Sequence, residues 1–457
     1  MSDVIQTVLD QYPEYEATIG IEVHVQLKTK SKLFCACPNE FGTEANRNIC
    51  PVCCGYPGTL PVLNRRSVDF AIMAGLATNC TIRTRSTFAR KNYIFPVFAK
   101  NFQITQDDKP ICHDGYIFID LPDGSEKKIR LLRIHMEEDA GKNIHAADAE
   151  SFVDLNRAGT PLLEIVSQPD ISSAYEAKNY LMRLRAIVQY LGISDANMEE
   201  GSFRADTNIS IKKRSATKLG TRVELKNINS FKFIAQAIEY EIERQIELVE
   251  AGGSVVQETR AWDSKKHVSV PMRSKEEAQD YRYFIEPDLP PIVVSEEWQK
   301  KIRLLIPELP HDKFKRFQEE FGLSAYEANI LVEQVDIASF FEAAAAICKQ
   351  PKMLSNWILR DLLAYLNEHD LTIPQCTITP EMFAEFINVI DQGIINSKVA
   401  QDVFALMLET GKYPSIIIQE KDLHQISSIS ALEEIVKTVI KQNPDSVKKY
   451  HEGNKRL

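Results

Sequence analysis

Three short stretches of this chain alternate between apolar and polar residues so strictly that they leave little choice of fold. In residues 19–27, Ile19, Ile21, Val23, Val25 and Leu27 make one apolar face, and Gly20, Glu22, His24 and Gln26 make the other. Residues 202–212 set Phe203, Ala205, Thr207, Ile209 and Ile211 against Arg204, Asp206, Asn208, Ser210 and Lys212. Residues 221–226 set Val223 and Leu225 against Arg222, Glu224 and Lys226. A period of two marks a strand, whose side chains point alternately to opposite faces. Strands with one apolar and one charged face belong to an antiparallel sheet packed on one side only.

Helical signals interrupt these strands. Residues 173–190 open with the capping box Ser173-Ala174-Tyr175-Glu176 and stop before Gly192. Residues 231–250 carry Phe231, Ile234, Ile238, Ile242, Ile246 and Val249 on one stripe and end at Gly252-Gly253. After the proline-dense run Glu286-Pro287-Asp288-Leu289-Pro290-Pro291 the pattern turns helical. At 457 residues the chain is too long for one ordinary core. The expected class is therefore α+β: a mixed domain on an antiparallel sheet over 1–292, then two small all-α domains over 293–399 and 400–457.

No apolar run approaches the roughly 18 residues needed to span a bilayer. The acidic N-terminus lacks a signal or transit pattern, so the expected compartment is the cytoplasm, with no membrane partner. A net charge of −10 speaks against a general nucleic-acid coat but leaves room for a local basic surface. Such clusters are Lys212-Lys213-Arg214, Lys448-Lys449 and Lys455-Arg456, although a solvated face is the plainer reading of each.

On the first stretch Glu22 and His24 project from one face about 7 Å apart, two strand rises. A solvated surface explains any one such face; the set is harder to explain that way. It combines a His beside a Glu, an Arg-Asp-Asn-Ser-Lys ladder and the acidic run His135-Met136-Glu137-Glu138-Asp139. In a straight strand over 128–138, Glu137 and Glu138 face opposite sides, so without a bulge only one points inward. Carboxylates suit Mg²⁺, which binds through a few acids, waters and substrate phosphates. Arg204 and Lys226 would offset charge on a transferred phosphoryl group. A His ligand is less usual for Mg²⁺ and leaves Mn²⁺ or Zn²⁺ open. The chain has no GxxxxGK(S/T) loop, kinase signature or dinucleotide fingerprint, so an ATP site would be of another type.

The chain has nine cysteines, of which Cys35-Ala36-Cys37 and Cys50-Pro51-Val52-Cys53 pair up at zinc-site spacing. Four thiolates would close a tetrahedral shell, so the expectation is a structural Zn²⁺ knuckle over about 35–53 rather than a catalytic metal.

Several runs resemble the B subunit family of glutamine-dependent aspartyl/glutamyl-tRNA amidotransferases. They are Ile19-Gly20-Ile21-Glu22-Val23-His24-Val25, HMEEDAGK (135–142), DLNRAGTPLLEIVSQPD (154–170), MEEGS (198–202), ELKNINSF (224–231), QETR (257–260) with Trp262-Asp263, and DYRYFIEPDLPP (280–291). The resemblance implies a cradle-shaped first domain, distantly similar to glutamine synthetase, and helical regions that contact tRNA. It implies that ATP phosphorylates the side-chain carboxylate of Glu or Asp misacylated onto tRNA(Gln) or tRNA(Asn). Ammonia from a partner amidase (A) subunit then displaces the phosphate, with a small C subunit holding the assembly together. By motif, Glu22, His24 and Glu138 would bind Mg²⁺, with Glu137, Asp206, Glu224 and Lys226 in the same catalytic site and Arg204 and Lys226 on the nucleotide phosphates.

Two departures stand out. Where the family has aspartates, this chain has Ala89 and Val97, in Phe88-Ala89-Arg90-Lys91-Asn92-Tyr93-Ile94-Phe95-Pro96-Val97. The family's tail also runs on beyond a point equivalent to Leu457, so an incomplete tail domain is expected. The lost aspartates favour a competing reading, a non-catalytic tRNA-binding or assembly subunit; the other acids oppose it. A metabolite ligase that ignores tRNA is disfavoured by the helical regions.

Overall fold

The computed structural model describes residues 7–145, 151–274, 280–423, 429–444 and 447. The basic pairs Lys448-Lys449 and Lys455-Arg456 lie outside the described residues. The chain forms two compact units, Met1–Lys313 and Phe314–Leu457.

The first unit is built on one nine-stranded sheet. Its strands are β1 (Tyr15–Gln26), β2 (Thr81–Ile82), β3 (Cys112–Asp120), β4 (Glu126–Glu138), β5 (Pro161–Ser167), β6 (Phe203–Lys213), β7 (Val223–Lys226), β8 (Glu258–Asp263) and β9 (Val268–Ser274). Across the sheet they stand in the order β9-β8-β7-β6-β1-β5-β4-β3-β2. All neighbours are antiparallel except β7 and β8, which run parallel. The alternation that predicted an antiparallel sheet is found in full on β1, where every second residue from Tyr15 to Val25 is buried.

Three helices cover the apolar face. They are α1 (Arg65–Ala77), α2 (Ala174–Tyr190) and α3 (Phe231–Glu250). Helix α1 packs on β3 and β4, α2 on β3 and α3, and α3 on β6. Ile19, Ile21, Val23 and Val25 share their core with Tyr180, Leu184, Ile238 and Ile242. At the start of α2, Ser173 accepts a hydrogen bond from Glu176 N, the forward half of the predicted capping box. The Glu176 carboxylate instead accepts from Ser172 N at 2.8 Å and pairs with Lys127. Helix α3 is tied to β8 and β9 by a buried cluster in which Glu241 contacts Arg244, Arg260 and Ser269.

A smaller three-stranded sheet of Phe284–Ile285, Ala89–Asn92 and Phe102–Thr105 packs against β4. It borders the opposite, polar face of the large sheet. The second unit is helical among its described residues, with Phe340, Trp357, Phe383, Phe386 and Phe404 meeting mostly edge to face in its core. Helix Pro351–Trp357 continues through a π-turn, Ile358–Leu362, into Leu363–Glu368. Among the described residues no helix is long and apolar enough to cross a membrane.

Ile21 is fully buried on the central strand, directly beneath the polar face. Truncating it removes core contacts without touching a charged group. Ile21→Ala is expected to lower stability by about 2–5 kcal/mol, read from urea unfolding of the full chain.

Candidate active site

The register of β1 with its neighbours assembles the polar face in rows. His24 lies opposite Arg204 on β6 and Glu164 on β5, and Glu164 lies opposite His135 on β4. One line therefore reads Arg204, His24, Glu164, His135 across four strands. The next row places Asp206 opposite Glu22. Asn208 pairs with Glu224 on β7, and Glu137 lies opposite Leu162 on β5, which itself faces Gln26.

Three of these side chains converge. His24 Nε2 is 3.1 Å from Glu164 Oε2 and 3.7 Å from Glu137 Oε1. One ligand atom from each of His24, Glu137 and Glu164 lies within 4.8 Å of the others, a spacing that can hold a metal ion. His135 stands behind them, almost fully buried, its Nε2 3.6 Å from both carboxylates. Burial alone would depress the His24 pKa; the hydrogen bond to Glu164 and the charges of Glu164 and Glu137 raise it instead. Burial would raise the Glu164 carboxyl, but His135, His24 and Lys91 hold it well below the usual range.

Cations separate the remaining acids. The Lys226 ammonium pairs with Asp206 and lies 3.2 Å from Glu224 Oε1, and Thr259 Oγ1 donates to Glu224 Oε2 at 2.9 Å. Burial would lower the Lys226 pKa, but those two carboxylates push it upward. Arg204 Nη2 and Gln26 Nε2 each donate to Asp139 Oδ2 at 2.7 Å. Glu22 accepts from Asn208 Nδ2 at 3.2 Å. Burial, followed by the charges of Glu164, Asp206 and Glu224, raises its pKa, so it gives up a proton less readily than an ordinary carboxylic acid.

Of the residues expected from sequence, Glu22, His24, Glu137, Arg204, Asp206, Glu224 and Lys226 share this face. Glu138 does not join the His24 group. Strand β4 stays in register through Glu138, opposite Pro161, so Glu137 and Glu138 point to opposite sides. The Glu138 carboxylate instead takes the Lys100 ammonium and Ile104 N, the latter at 2.9 Å. Glu22 and Glu138 of the expected ligand set lie outside the group of three, and Glu164, which the sequence reading did not name, stands in it with His24 and Glu137. Glu164 was missed because its strand, PLLEIVS, is otherwise almost wholly apolar; a lone Glu in such a run was the available signal. Lys91 was also missed. Its Nζ sits 4.9 Å from the Tyr281 ring centre, and although burial opposes its charge, Glu137, Tyr283 and Tyr281 raise its pKa. Ala89 is buried opposite Thr105, whose hydroxyl donates to Glu137 Oε2 at 3.1 Å. Val97 offers its carbonyl to Gly141 N at 2.9 Å.

A cleft of 530 Å³ opens beside this face. His24, Arg204, Asp206 and Lys226 line its polar wall, and Met198, Phe203, Ile228, Phe233 and Trp262 contribute apolar surface.

The cysteine cluster is separate from the triad. The Sγ atoms of Cys35, Cys37, Cys50 and Cys53 all lie within 4.8 Å of one another, so the cluster can hold a metal. A hydrogen bond from Cys35 pulls the Cys53 thiol down to about 4, helped by Cys50 N and the Lys32 charge. Burial pushes Cys37 up to about 12. An all-sulfur set of four suits a soft divalent ion in a closed shell.

The family model described as the GatB/GatE catalytic domain matches residues 17–300, and that described as the GatB domain matches residues 339–457. The chain belongs to the GatB family. The B subunit of the aspartyl/glutamyl-tRNA(Asn/Gln) amidotransferase from Thermodesulfovibrio yellowstonii is 50% identical, over 97% of this chain and 93% of its own length. Proteins of the same name from Geotalea daltonii and Myxococcus xanthus are each 51% identical over the same shares. The GatB/GatE catalytic match spans the whole polar face of this GatB-family chain, from β1 to β9, together with its cysteine cluster.

Metal analysis tests the cluster directly. The purified chain is expected to carry about one metal equivalent that disappears when Cys50 and Cys53 are replaced by Ser. Metal retained by that double variant would place the ion elsewhere.

Proposed function

We propose that this chain is the subunit of a tRNA-dependent amidotransferase that activates and amidates a carboxylate carried on misacylated tRNA(Gln) or tRNA(Asn). The observation that carries this reading is the convergence of His24, Glu137 and Glu164 beside Arg204 and Lys226, at the mouth of a cleft with one polar and one apolar wall. The names of the relatives supply the substrate class. A partner amidase subunit would supply ammonia from glutamine and a small third subunit would complete the assembly, in the cytoplasm.

His24, Glu137 and Glu164 would hold Mg²⁺, with Glu22 close by; when bound, the ion offsets the negative charge of ATP phosphates. The apolar surface that Met198, Phe233 and Trp262 lend the cleft suits a nucleotide base. Arg204 and Lys226 face the phosphates and stabilise charge that moves onto the transferred group. The substrate carboxylate oxygen attacks the terminal phosphorus, ADP leaves, and an acyl phosphate results. Ammonia nitrogen then attacks the acyl carbon, inorganic phosphate leaves, and the nitrogen gives up a proton. Burying these groups on a half-dry sheet face limits competing hydrolysis of the acyl phosphate. The four cysteines would hold structural Zn²⁺.

The assembled enzyme is expected to hydrolyse ATP in a manner dependent on misacylated tRNA. Glu164→Gln should lower that turnover on the order of 100-fold while glutaminase activity in the partner persists. ATP hydrolysis indifferent to misacylated tRNA would overturn the reading. Wild-type turnover in Glu164→Gln would remove the residue from the site.

A further inference from the structure

Lys32 has no solvent exposure, a position that a lysine rarely occupies without a partner. Its Nζ lies 3.8 Å from Cys53 Sγ and donates to Leu155 O at 3.3 Å. Cys53 belongs to the four-cysteine cluster, while Leu155 belongs to the loop 154–160 between that cluster and the polar face. Other bonds stitch the same two segments together. Leu33 N donates to Gly159 O at 2.8 Å, Asn48 N to Asn156 Oδ1 at 2.9 Å, and Leu155 N to Asn46 Oδ1 at 2.8 Å. Gly159 adopts φ +85°, and a Cβ there would lie 3.4 Å from Lys32 Cδ and 3.7 Å from Cys53 Cβ.

On its other side the loop grips the end of β4. Arg157 Nε and Nη2 donate to Ala140 O and Gly141 O, both at 2.8 Å. Gly159 N donates to Asp139 O at 3.0 Å, and Asp139 N to Thr160 O at 2.8 Å. Asp139 is the carboxylate that orients Arg204, the neighbour of His24 in the sheet. A continuous set of contacts thus runs from the sulfur cluster to a guanidinium of the active site.

We propose that Lys32 is a positioning residue that couples metal occupancy of the four-cysteine cluster to the setting of the Asp139–Arg204 pair, an inference that rests on the cluster holding Zn²⁺. Four thiolates around a divalent cation carry a net charge of about −2, and the buried ammonium offsets part of it. The ion keeps the four sulfurs at their spacing and so keeps Cys53 beside Lys32. When the ion leaves, nothing holds the four sulfurs at one spacing, and Cys53 is free to move away from the buried ammonium, a costly separation. Lys32 then withdraws from Leu155, the loop 154–160 loosens, and Asp139 loses the backbone contacts that fix its carboxylate beneath Arg204.

The test is amide hydrogen exchange on the full chain, with zinc bound, stripped and restored, after metal analysis of the wild-type protein. Stripping is expected to speed exchange at Asp139, Leu155 and Gly159 by about tenfold, reversibly, while Val23 and Val25 on β1 stay protected. Lys32→Met should shed zinc to a chelator about tenfold faster and show the faster exchange even with zinc bound, whereas the exposed-site control Lys30→Met should match wild type. In the assembled enzyme Lys32→Met should raise the KM for ATP about tenfold and leave that for misacylated tRNA within about twofold. Unchanged exchange at residues 139 and 155–159 on stripping, or Lys32→Met indistinguishable from Lys30→Met, overturns the coupling. Loss of protection that spreads to β1 also overturns it, since the cluster would then support the whole fold. A wild-type chain without zinc defeats the zinc reading itself, an outcome that metal analysis separates from the others.

Discussion

Five carboxylates, Glu22, Glu137, Glu164, Asp206 and Glu224, share one half-buried sheet face, and such a group repels itself unless cations stand between its members. The structure interleaves them. His24 and His135 flank Glu164, and Lys226 bridges Asp206 and Glu224. Arg204 reaches past the group to a sixth acid, Asp139. Each pairing is set by strand register, because residues that face one another across antiparallel strands are held about 5 Å apart. A slip of one residue between β1 and β5 would send Glu164 into the apolar core and leave His24 facing Leu163 or Ile165. The apolar face beneath forbids that slip, so core packing and site geometry are enforced by the same alternation.

Much of this was legible in the residues. The alternation on β1, β6 and β7 identified both faces, and the spacing Cys35-Ala36-Cys37 and Cys50-Pro51-Val52-Cys53 identified the sulfur cluster. Sequence periodicity says which face a side chain takes but not which strands lie side by side. Glu137 and Glu138 were known to point oppositely, yet nothing local said which one met His24. Pairing with β5 decides it: Glu137 turns inward and Glu138 goes to Lys100 and Ile104 N. Glu164 escaped notice because one acid in PLLEIVS weighs little until its neighbours across the sheet are known. Lys91 became relevant only when the 281–283 segment folded over it.

Ala89 and Val97, where the resemblance leads one to expect aspartates, fall at the margin of the face. Ala89 lies on a strand whose partner residue, Thr105, holds Glu137 by its hydroxyl. Val97 meets Gly141 through its backbone, a contact that any residue other than a distorted one can make. The acids and cations of the central rows stand together beside them, an arrangement that suits catalysis rather than a purely architectural role.

The strand order carries a consequence for how the chain reaches its native state. The first strand made is the middle strand of the sheet, and its partners lie far along the sequence, at Pro161–Ser167 on one flank and Phe203–Lys213 on the other. During synthesis β1 therefore emerges with a wholly apolar face and two open hydrogen-bonding edges, and neither edge is paired until well over a hundred further residues have been added. Such non-local pairing is slow to form, and its waiting edges invite association with other chains. The strand that bears Glu22 and His24 is thus the first part of the site to be translated, yet it waits for Phe203–Lys213 before both its edges are secured.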